Sequence, residues 1–424
     1  MNILLESLAS VSEVFGAIWQ AVSIFWFIVL PVAFYYLFKI LWMDFVKKKF
    51  LKSIEWTVLE IIPPKDIEKS PKPMESIYAG LTGVFRGFNA VEEFVGGMFV
   101  TSFSLEIVSD EGNAHFYIRT PKEFRNLVEA HIYAQYPEAE IMEVSDYVDD
   151  VPKIIPSRGW NLWGCDFELN KPDPYPLKSY TWFEESITGT MIDPMASLVE
   201  SLGKLGPGQK IWLQFIVAPE KDTWYNTGRE LVEELAGRSK ESSGFFKKLL
   251  GDMGDIFQGI FGGMFGPVEF AKKEEDGEEA PLEFRLTPGE KDVLKAVESG
   301  IGKSVFKTKM RFIYLGQREN FDKSSISSFM GGIKQFADLN LNSFKIHDQS
   351  KTYALHLFAD IRTLYRQRKI FRRYKDRDFD GATFILNTEE LATVFHMPDM
   401  GVVAPALHKV EAKKGGAPAN LPIG

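Results

Sequence analysis

The chain has 424 residues, 45% of them hydrophobic, which is enough for two compact domains beside one membrane segment. Its net charge of −9 excludes a surface that is basic throughout, as in proteins that coat nucleic acid. The single cysteine, Cys165, excludes an intrachain disulfide framework and a cysteine-based zinc site.

An uncharged, strongly apolar stretch near the N-terminus predicts a transmembrane helix. It covers residues 21–38, AVSIFWFIVLPVAFYYLF, close to the roughly 20 residues that cross a hydrocarbon core. No basic residue precedes it, and a lysine-rich flank follows between residues 39 and 52, so we expect an uncleaved anchor. The lysine excess predicts a single-pass inner-membrane protein with its N-terminus outside and the rest in the cytoplasm.

Strand and helix patterns alternate over residues 53–155. WTVLEIIPP has the alternation of a strand, and residues 74–94 have helical spacing. FSLEIVSD and AHFYIRTP are joined by Asp110-Glu111-Gly112-Asn113, which predicts a hairpin. A helix opened by Pro121 and the strand AEIMEVSDY follow. This β-α-β-β-α-β order predicts a ferredoxin-like domain.

The same order returns over residues 156–350. LWGCDFELN and LKSYTWFEE are strand-like, a helix over residues 193–205 follows, and QKIWLQFIVAP is a strand. After a helix over residues 224–236 and a flexible insertion, the strands KTKMRFIYLG and NSFKIHD flank another helix. We therefore predict an α+β fold with a transmembrane segment (1–52), two tandem ferredoxin-like domains with antiparallel sheets, and a C-terminal helix.

The predicted insertion, residues 237–282, contains an apolar stripe at helical spacing. The stripe consists of Phe246, Leu249, Leu250, Met253, Ile256, Phe257, Ile260, Phe261, Met264 and Phe265. A stripe this apolar, next to the acidic tract KKEEDGEEA, suits the membrane interface or the groove of a partner. The alternative is a loop folded over its own domain.

The C-terminal part, residues 351–424, begins with a basic helix predicted over residues 354–375. Arg362, Arg366, Lys369 and Arg373 follow one another at spacings of four, three and four, which places them on one face. Such a face suits DNA phosphates, an acidic partner or anionic lipid headgroups, and its alternative is an ordinary solvated surface. A short helix capped by Thr388 and an exposed linker are expected to follow.

Known catalytic motifs are missing from the sequence. Gly302-Lys303-Ser304 resembles part of a phosphate-binding loop, but Val297 stands where the first glycine is required, and the segment follows a helix and enters a strand. No GxSxG elbow and no HExxH motif occurs, and no two histidines have the spacing of a metal-binding helix. We therefore predict a protein that is not an enzyme and has no cofactor.

Several stretches resemble a known bacterial family. They are WTVLEIIPP with PKPMESIYAGL, SLEIVSDEGNAHFYIRTP, VEAHIYAQYPEAEIMEV, MRFIYLGQRENF, and LNTEELATVFHMP with KKGGAPANLP. They resemble the membrane-anchored domain that precedes a type IV secretion or conjugation-type ATPase in uncharacterised proteins of candidate-phylum bacteria. The resemblance covers residues 50–422 and transfers no functional residue. In long members a RecA-like motor follows the segment that resembles NLPIG, whereas this chain ends at Gly424, so we expect the motor to be a separate polypeptide.

These observations predict a non-enzymatic scaffold of a translocation machine for DNA or protein. Its expected partners are the lipid bilayer and a separate ATPase, with DNA and a second copy of the chain as further candidates. Two other interpretations stay open: a membrane-bound enzyme with an unrecognised site between the two domains, and an organiser of the membrane surface.

Overall fold

The computed structural model describes residue 27 and residues 30–64, 70–183, 192–220, 223–236 and 286–399. The predicted apolar stripe in the insertion and the C-terminal linker lie outside these residues. The described strands are β1 (Trp56–Ile62), β2 (Phe103–Asp110), β3 (Asn113–Pro121), β4 (Glu140–Val144), β5 (Trp160–Leu169), β6 (Gln209–Pro219), β7 (Val305–Gln317), β8 (Phe344–Ile346) and β9 (Phe384–Asn387). The described helices are α1 (30–53), α2 (Lys72–Leu81), α3 (Ala90–Phe94), α4 (Arg125–Gln135), α5 (Ala196–Gly203), α6 (Thr223–Leu235), α7 (Pro288–Ile301), α8 (Lys323–Ile333), α9 (Ala359–Lys375) and α10 (Thr388–Val394).

The chain divides into two compact units, residues 1–56 with 86–101 and residues 57–85 with 102–424. In the first unit, α1 packs against the segment that contains α3. The indole Nε1 of Trp42 donates to the Phe94 carbonyl at 2.7 Å. Gly97 has a φ of +66°, and a Cβ there would lie 2.3 Å from the Val46 carbonyl oxygen. Only glycine permits both this conformation and this approach of the two backbones.

No helix among the described residues combines the length and apolar character needed to cross a bilayer. Residues 21–26, 28 and 29 of the predicted anchor lie outside the described residues.

The second unit is built on one nine-stranded sheet. Its strands lie in the order β4-β1-β3-β2-β6-β7-β5-β8, and β9 pairs with β7. The strands of both predicted domains therefore share one sheet, joined by antiparallel pairing of β2 with β6 from Phe103↔Val217 to Asp110↔Lys210. The first half of the sheet consists of β1–β4 and the second half of β5–β8. In each half the strands lie in the order fourth, first, third, second: β4-β1-β3-β2 and β8-β5-β7-β6. The α+β class with a large antiparallel sheet is confirmed.

Both ends of this strand order are short strands. At one end β4 has five residues and carries Glu140 and Glu143, and at the other end β8 has only three residues. Within the part of the chain that the structure describes, β4 pairs with β1 alone and β8 with β5 alone. Short and charged edge strands are typical of natural sheets that resist pairing with further strands.

Alternating residues of the strands form two hydrophobic cores, one on each face of the sheet. Leu105 and Ile107 of β2 belong to the larger core, together with apolar side chains of α2, α4, α5, α8 and α10. Val108 belongs to the smaller core on the opposite face, which contains Ile370, Phe371 and Tyr374 of α9. Helix α9 therefore covers the sheet face opposite to α2, α4, α5, α8 and α10.

Some local predictions need correction. LKSYTWFEE was predicted as a strand, but residues Tyr180–Phe183 form a 3₁₀ turn. The Tyr180 hydroxyl donates to Glu75 and the Tyr180 N–H donates to the Thr393 hydroxyl, so tertiary contacts override the β-prone composition. The basic helix begins at Ala359 rather than Ala354, and the cap of α10 is Asn387 rather than Thr388, because the Asn387 side chain accepts from the Glu390 N–H.

Candidate functional site on helix α9

Helix α9 carries most of the basic residues singled out by the sequence, and it is held on the sheet by an aromatic cluster. Trp212 of β6 is almost fully buried, and its ring lies 6.4 Å from Phe371 and 5.3 Å from Tyr374. Burial of large aromatic side chains stabilises such contacts by a few kcal/mol each. The helix is therefore a firmly attached platform.

A row of buried polar residues crosses the sheet beneath the C-terminal end of α9. Neighbouring strands β3, β2, β6, β7 and β5 contribute directly paired residues: Tyr117, Glu106, Gln214, Arg311 and Asp166. Buried polar groups cost free energy unless they are hydrogen-bonded, so the partners of this row decide what it does.

Glu106 and Arg377 form the first buried cluster of this row. Arg377 Nε and Nη2 donate to the two Glu106 carboxylate oxygens at 3.0 and 3.1 Å. The same guanidinium donates to Asp146 at 2.6 and 2.8 Å, and the Tyr147 hydroxyl donates to Glu106 at 2.7 Å. Burial raises the pKa of Glu106, but the Arg377 charge and hydrogen bonds from Arg377, Ser104 and Tyr147 outweigh it and set this pKa at about 2.

This lowered pKa predicts that the protein loses stability in acid. A carboxyl group with a lowered folded pKa stabilises the fold above its unfolded pKa, and the contribution disappears as the pH falls through the folded value. For Glu106 the window runs from the ordinary 4.5 down to about 2, and it corresponds to roughly 3 kcal/mol of unfolding free energy. Urea unfolding of the full chain in detergent between pH 7 and pH 3 measures this loss. Glu106→Gln should show a shallower pH dependence, and equal slopes for both proteins would contradict the assignment.

Asp166, Lys309 and Arg311 form the second buried cluster. Lys309 Nζ lies 2.7 Å and Arg311 Nε 2.8 Å from the Asp166 carboxylate, and all three side chains are buried. Arg311 also donates to the carbonyls of Arg373 and Asp378, at the end of α9. A cation at this position satisfies helix-terminal carbonyls and complements the helix dipole.

The four residues of the predicted basic face are mostly engaged by the protein itself. Arg362 Nη1 donates to the Leu355 carbonyl at 3.1 Å, and Arg366 Nη1 donates to the carbonyls of residues 351 and 353. Lys369 Nζ lies 5.9 Å from the Tyr365 ring centroid, and Arg373 lies 3.6 Å from the Asp378 carboxylate. They do not form an open basic strip. The neighbouring Arg368 and Arg372 are exposed.

An exposed apolar surface lies at the N-terminal end of α9, which the sequence analysis did not single out. We call it the apolar tip, and it consists of Tyr353, Leu355, Leu357, Phe358, Ile361 and Tyr365. Leu357 is 80% and Phe358 74% exposed. Alternation of apolar residues before a helix was its only sequence signal, and this pattern is equally typical of a buried strand.

A recess of about 230 Å³ lies beside α9, toward its C-terminal end. We call it the basic recess, and its polar lining includes Asp166, His347, Ser350, Arg366, Lys369 and Arg373. Three of the four predicted basic residues therefore meet here. Spacing along the helix predicted that these three residues share a face. It could not predict the recess, because His347, Ser350 and Asp166 come from other parts of the chain.

The motif Gly302-Lys303-Ser304 has a structural role. Lys303 Nζ pairs with the carboxylate of Glu75 at 2.9 Å and with that of Glu389. The motif lies between the end of α7 and the start of β7. It therefore follows a helix and enters a strand, the reverse of the order in a phosphate-binding loop. Among the described residues, no group of three or more acidic, histidine or cysteine side chains is placed to hold a metal ion.

A buried carboxyl group with a raised pKa lies in another recess, of about 260 Å³. Burial raises the pKa of Glu390 to about 8, although it accepts hydrogen bonds from the backbone N–H groups of Asn387 and Leu177. Both carboxyl oxygens are thereby engaged, one in the cap of α10 and one at residue 177. Glu390 therefore connects the cap of α10 to the backbone at residue 177.

Comparison with known proteins gives one family match. No match was found among the curated proteins. Residues 46–409 match the family described as Domain of unknown function (DUF8128). This match includes the whole sheet, helix α9 and both buried clusters. Since it spans most of the chain, the protein belongs to the DUF8128 family.

Proposed function

We propose that this chain is a membrane-anchored, non-enzymatic docking protein that holds a separate translocation-type ATPase through the apolar tip of α9. The observation that carries the proposal is that six large apolar side chains in one short segment, residues 353–365, are each more than half exposed. Contiguous exposed apolar groups on a folded domain typically mark an interaction site. The resemblance to domains that precede such ATPases suggests the class of partner.

The backbone of the apolar tip has an unfavourable conformation at the start of α9. Phe358 is the residue that caps α9, yet it has a φ of +55° and its side chain makes no capping hydrogen bond. A polar cap is worth about 1 kcal/mol, and a non-glycine residue in the left-handed region costs about 1–2 kcal/mol. His356 also has a positive φ, of +69°. Such costs persist where a function needs the geometry.

The backbone carbonyls of the apolar tip already have hydrogen-bond partners within the protein, so burying the tip against a partner would not leave them unpaired. The carbonyls of Lys351, Tyr353 and Leu355 would lose contact with water in an interface, and an unsatisfied buried carbonyl is costly. Arg362 and Arg366 already donate hydrogen bonds to these three carbonyls. Arg368 and Arg372 are exposed farther along the helix and would select a partner with an acidic rim.

The proposal includes the anchor at residues 21–38 and a ferredoxin-like fold of each half. The neighbour order in each half of the sheet, fourth, first, third, second strand, supports the ferredoxin-like assignment. Anchoring would confine the docked motor to the membrane surface, where it raises the local concentration of the motor beside a pore or its substrate.

Substitution of the tip tests this function. The variant Leu357→Ser/Phe358→Asn removes the two most exposed apolar side chains of the tip and supplies a residue suited to a left-handed cap. We expect at least about tenfold less RecA-like ATPase to co-purify with the tagged full chain from native membranes, which corresponds to 1.4 kcal/mol of binding free energy. Quantitative mass spectrometry of the purified complex measures this.

The matched control is Leu339→Ser/Ile192→Ser, which removes two exposed apolar side chains elsewhere in the same unit. It should leave the amount of ATPase unchanged. The tip variant should unfold at the same temperature as the unmodified protein or at a higher one, which excludes misfolding as the cause. Absence of an ATPase from the unmodified complex, or equal amounts with the tip variant, would reject the proposal.

A further inference from the structure

The basic recess contains more positive than negative charge. Arg366, Lys369 and Arg373 line it together with the carboxylate of Asp166. Behind this lining, the buried cations Lys309 and Arg311 lie at hydrogen-bond distance from Asp166, so its single negative charge is already compensated. Asp378 and Asp380 lie 3.6 and 3.9 Å from nitrogen atoms of Arg373, which are long distances for ion pairs. An anion would complete this charge set.

The floor of the recess is shaped by a glycine. Gly381 has a φ of +104°, and a Cβ there would lie 2.9 Å from Lys309 Nζ and 3.5 Å from Arg373 Nη1. The same Cβ would lie 3.5 Å from Asp166 Oδ2, so any other side chain would crowd the two cations and this carboxylate. The absence of a side chain at Gly381 leaves room beside Arg373 and Asp166 in the recess.

Although Arg366 and Arg373 have partners within the protein, Lys369 and His347 keep hydrogen-bonding capacity at the recess. Lys309 Nζ bonds to Asp166 and to the Ala382 carbonyl, and Lys369 contacts only an aromatic ring among the described residues. His347 Nδ1 is buried without a hydrogen-bond partner there and lies 3.6 Å from the Glu168 carboxylate. Burial lowers the pKa of Lys309, Asp166 opposes this, and Arg311 and Arg373 lower it further. A bound anion would relieve that repulsion.

Size restricts the ligand to a small group. The recess of about 230 Å³ is below the roughly 300–1,000 Å³ of sites that enclose drug-sized ligands. Arginine guanidinium groups match phosphate oxygens in planar pairs, and a lysine supplies a third charged donor. We propose that the basic recess binds a phosphate group, either free phosphate or the phosphomonoester headgroup of a lipid. This site is separate from the apolar tip and does not depend on the docking function.

Calorimetric titration of the full chain with inorganic phosphate tests the proposal. The protein is kept in nanodiscs of phosphatidylcholine at about 150 mM ionic strength, where weak surface attraction is screened. We expect saturable binding with a Kd of about 1 mM or tighter. Lys369→Gln/Arg373→Gln should weaken binding at least about tenfold, the equivalent of 1.4 kcal/mol.

The control is Arg368→Gln/Arg372→Gln, which removes the same charge one position earlier on the same helix and leaves the recess lining intact. It should change the Kd less than twofold. If the recess variant fails to fold, the single Lys369→Gln replaces it, since that side chain makes no hydrogen bond among the described residues. Lack of saturable binding to the unmodified protein, or equal weakening by both double variants, would overturn the proposal.

A second arm distinguishes the source of the phosphate. In nanodiscs that contain phosphatidic acid, a lipid headgroup in the recess should weaken the binding of inorganic phosphate to the unmodified protein. An unchanged Kd supports free phosphate as the ligand. Binding of single-stranded DNA that is lost in the recess variant, without any binding of inorganic phosphate, would also overturn the proposal.

Discussion

Arg377→Gly is expected to destabilise the protein by about 3–5 kcal/mol, although glycine is the residue that its backbone conformation favours. Arg377 has a φ of +49° just after the C-terminal cap of α9, a position that glycine usually occupies. The backbone change alone should stabilise the fold by about 1 kcal/mol. The loss arises because Glu106, fully buried, keeps its charge without the guanidinium that compensates it. Urea unfolding of the full chain in detergent measures the difference.

Removal of the negative charge should reverse much of this loss. In Glu106→Gln/Arg377→Gly no buried charge is left alone, so the double variant is expected to be more stable than Arg377→Gly. Gln214 Nε2 donates to Glu106 Oε1, and a glutamine oxygen at position 106 can still accept this bond. A single variant Arg377→Gly as stable as the unmodified protein would mean that the ion pair contributes no net stability.

Asp166→Asn is expected to cost a similar amount, about 3–5 kcal/mol, because it leaves two buried cations without their counter-charge. Burial raises the pKa of Asp166, but the charges of Arg311 and Lys309 outweigh burial and lower it overall. The variant should also loosen the end of α9, since Arg311 connects Asp166 to the carbonyls of Arg373 and Asp378. Thermal unfolding and hydrogen exchange of the α9 amides measure the two effects.

Removal of one of the two cations should cost much less. Lys309→Met leaves the pair Asp166–Arg311 balanced, and the methionine replaces the aliphatic stem of the lysine. It is expected to change the unfolding free energy by less than about 1.5 kcal/mol. Equal losses for Asp166→Asn and Lys309→Met would show that hydrogen bonds rather than charge balance decide the stability of this cluster.

Local patterns in the sequence predicted most of the strands and the hairpin because short-range geometry decides them. The hairpin between β2 and β3 is confirmed, and its turn residues Glu111 and Gly112 have φ values of +51° and +94°. Positive φ at both positions is the requirement of a two-residue turn that matches strand twist. The glycine in Asp-Glu-Gly-Asn was therefore a sufficient signal.

Long-range contacts set the remaining features, and the sequence contains little sign of them. Lys309 and Arg311 alternate with Met310 and Phe312, a pattern that is typical of a strand with one solvated face. That face is instead covered by α9, which is more than 40 residues away in the chain. The pairing of β2 with β6 depends on residues about 100 positions apart. Helical periodicity also placed Arg366, Lys369 and Arg373 on one face. The recess that they line could not be predicted, because its other lining residues are distant in the sequence.

The terminal strands of the sheet have a consequence for self-association. Strand exchange and fibril growth both need a long, flat row of free backbone donors and acceptors that a second molecule can extend. The strand Glu140–Val144 offers only five residues for such pairing, and its glutamates would repel those of a second copy. The strand Phe344–Ile346 offers only three residues. A contact between two copies of this protein is therefore expected to involve helices and loops rather than the edges of the sheet.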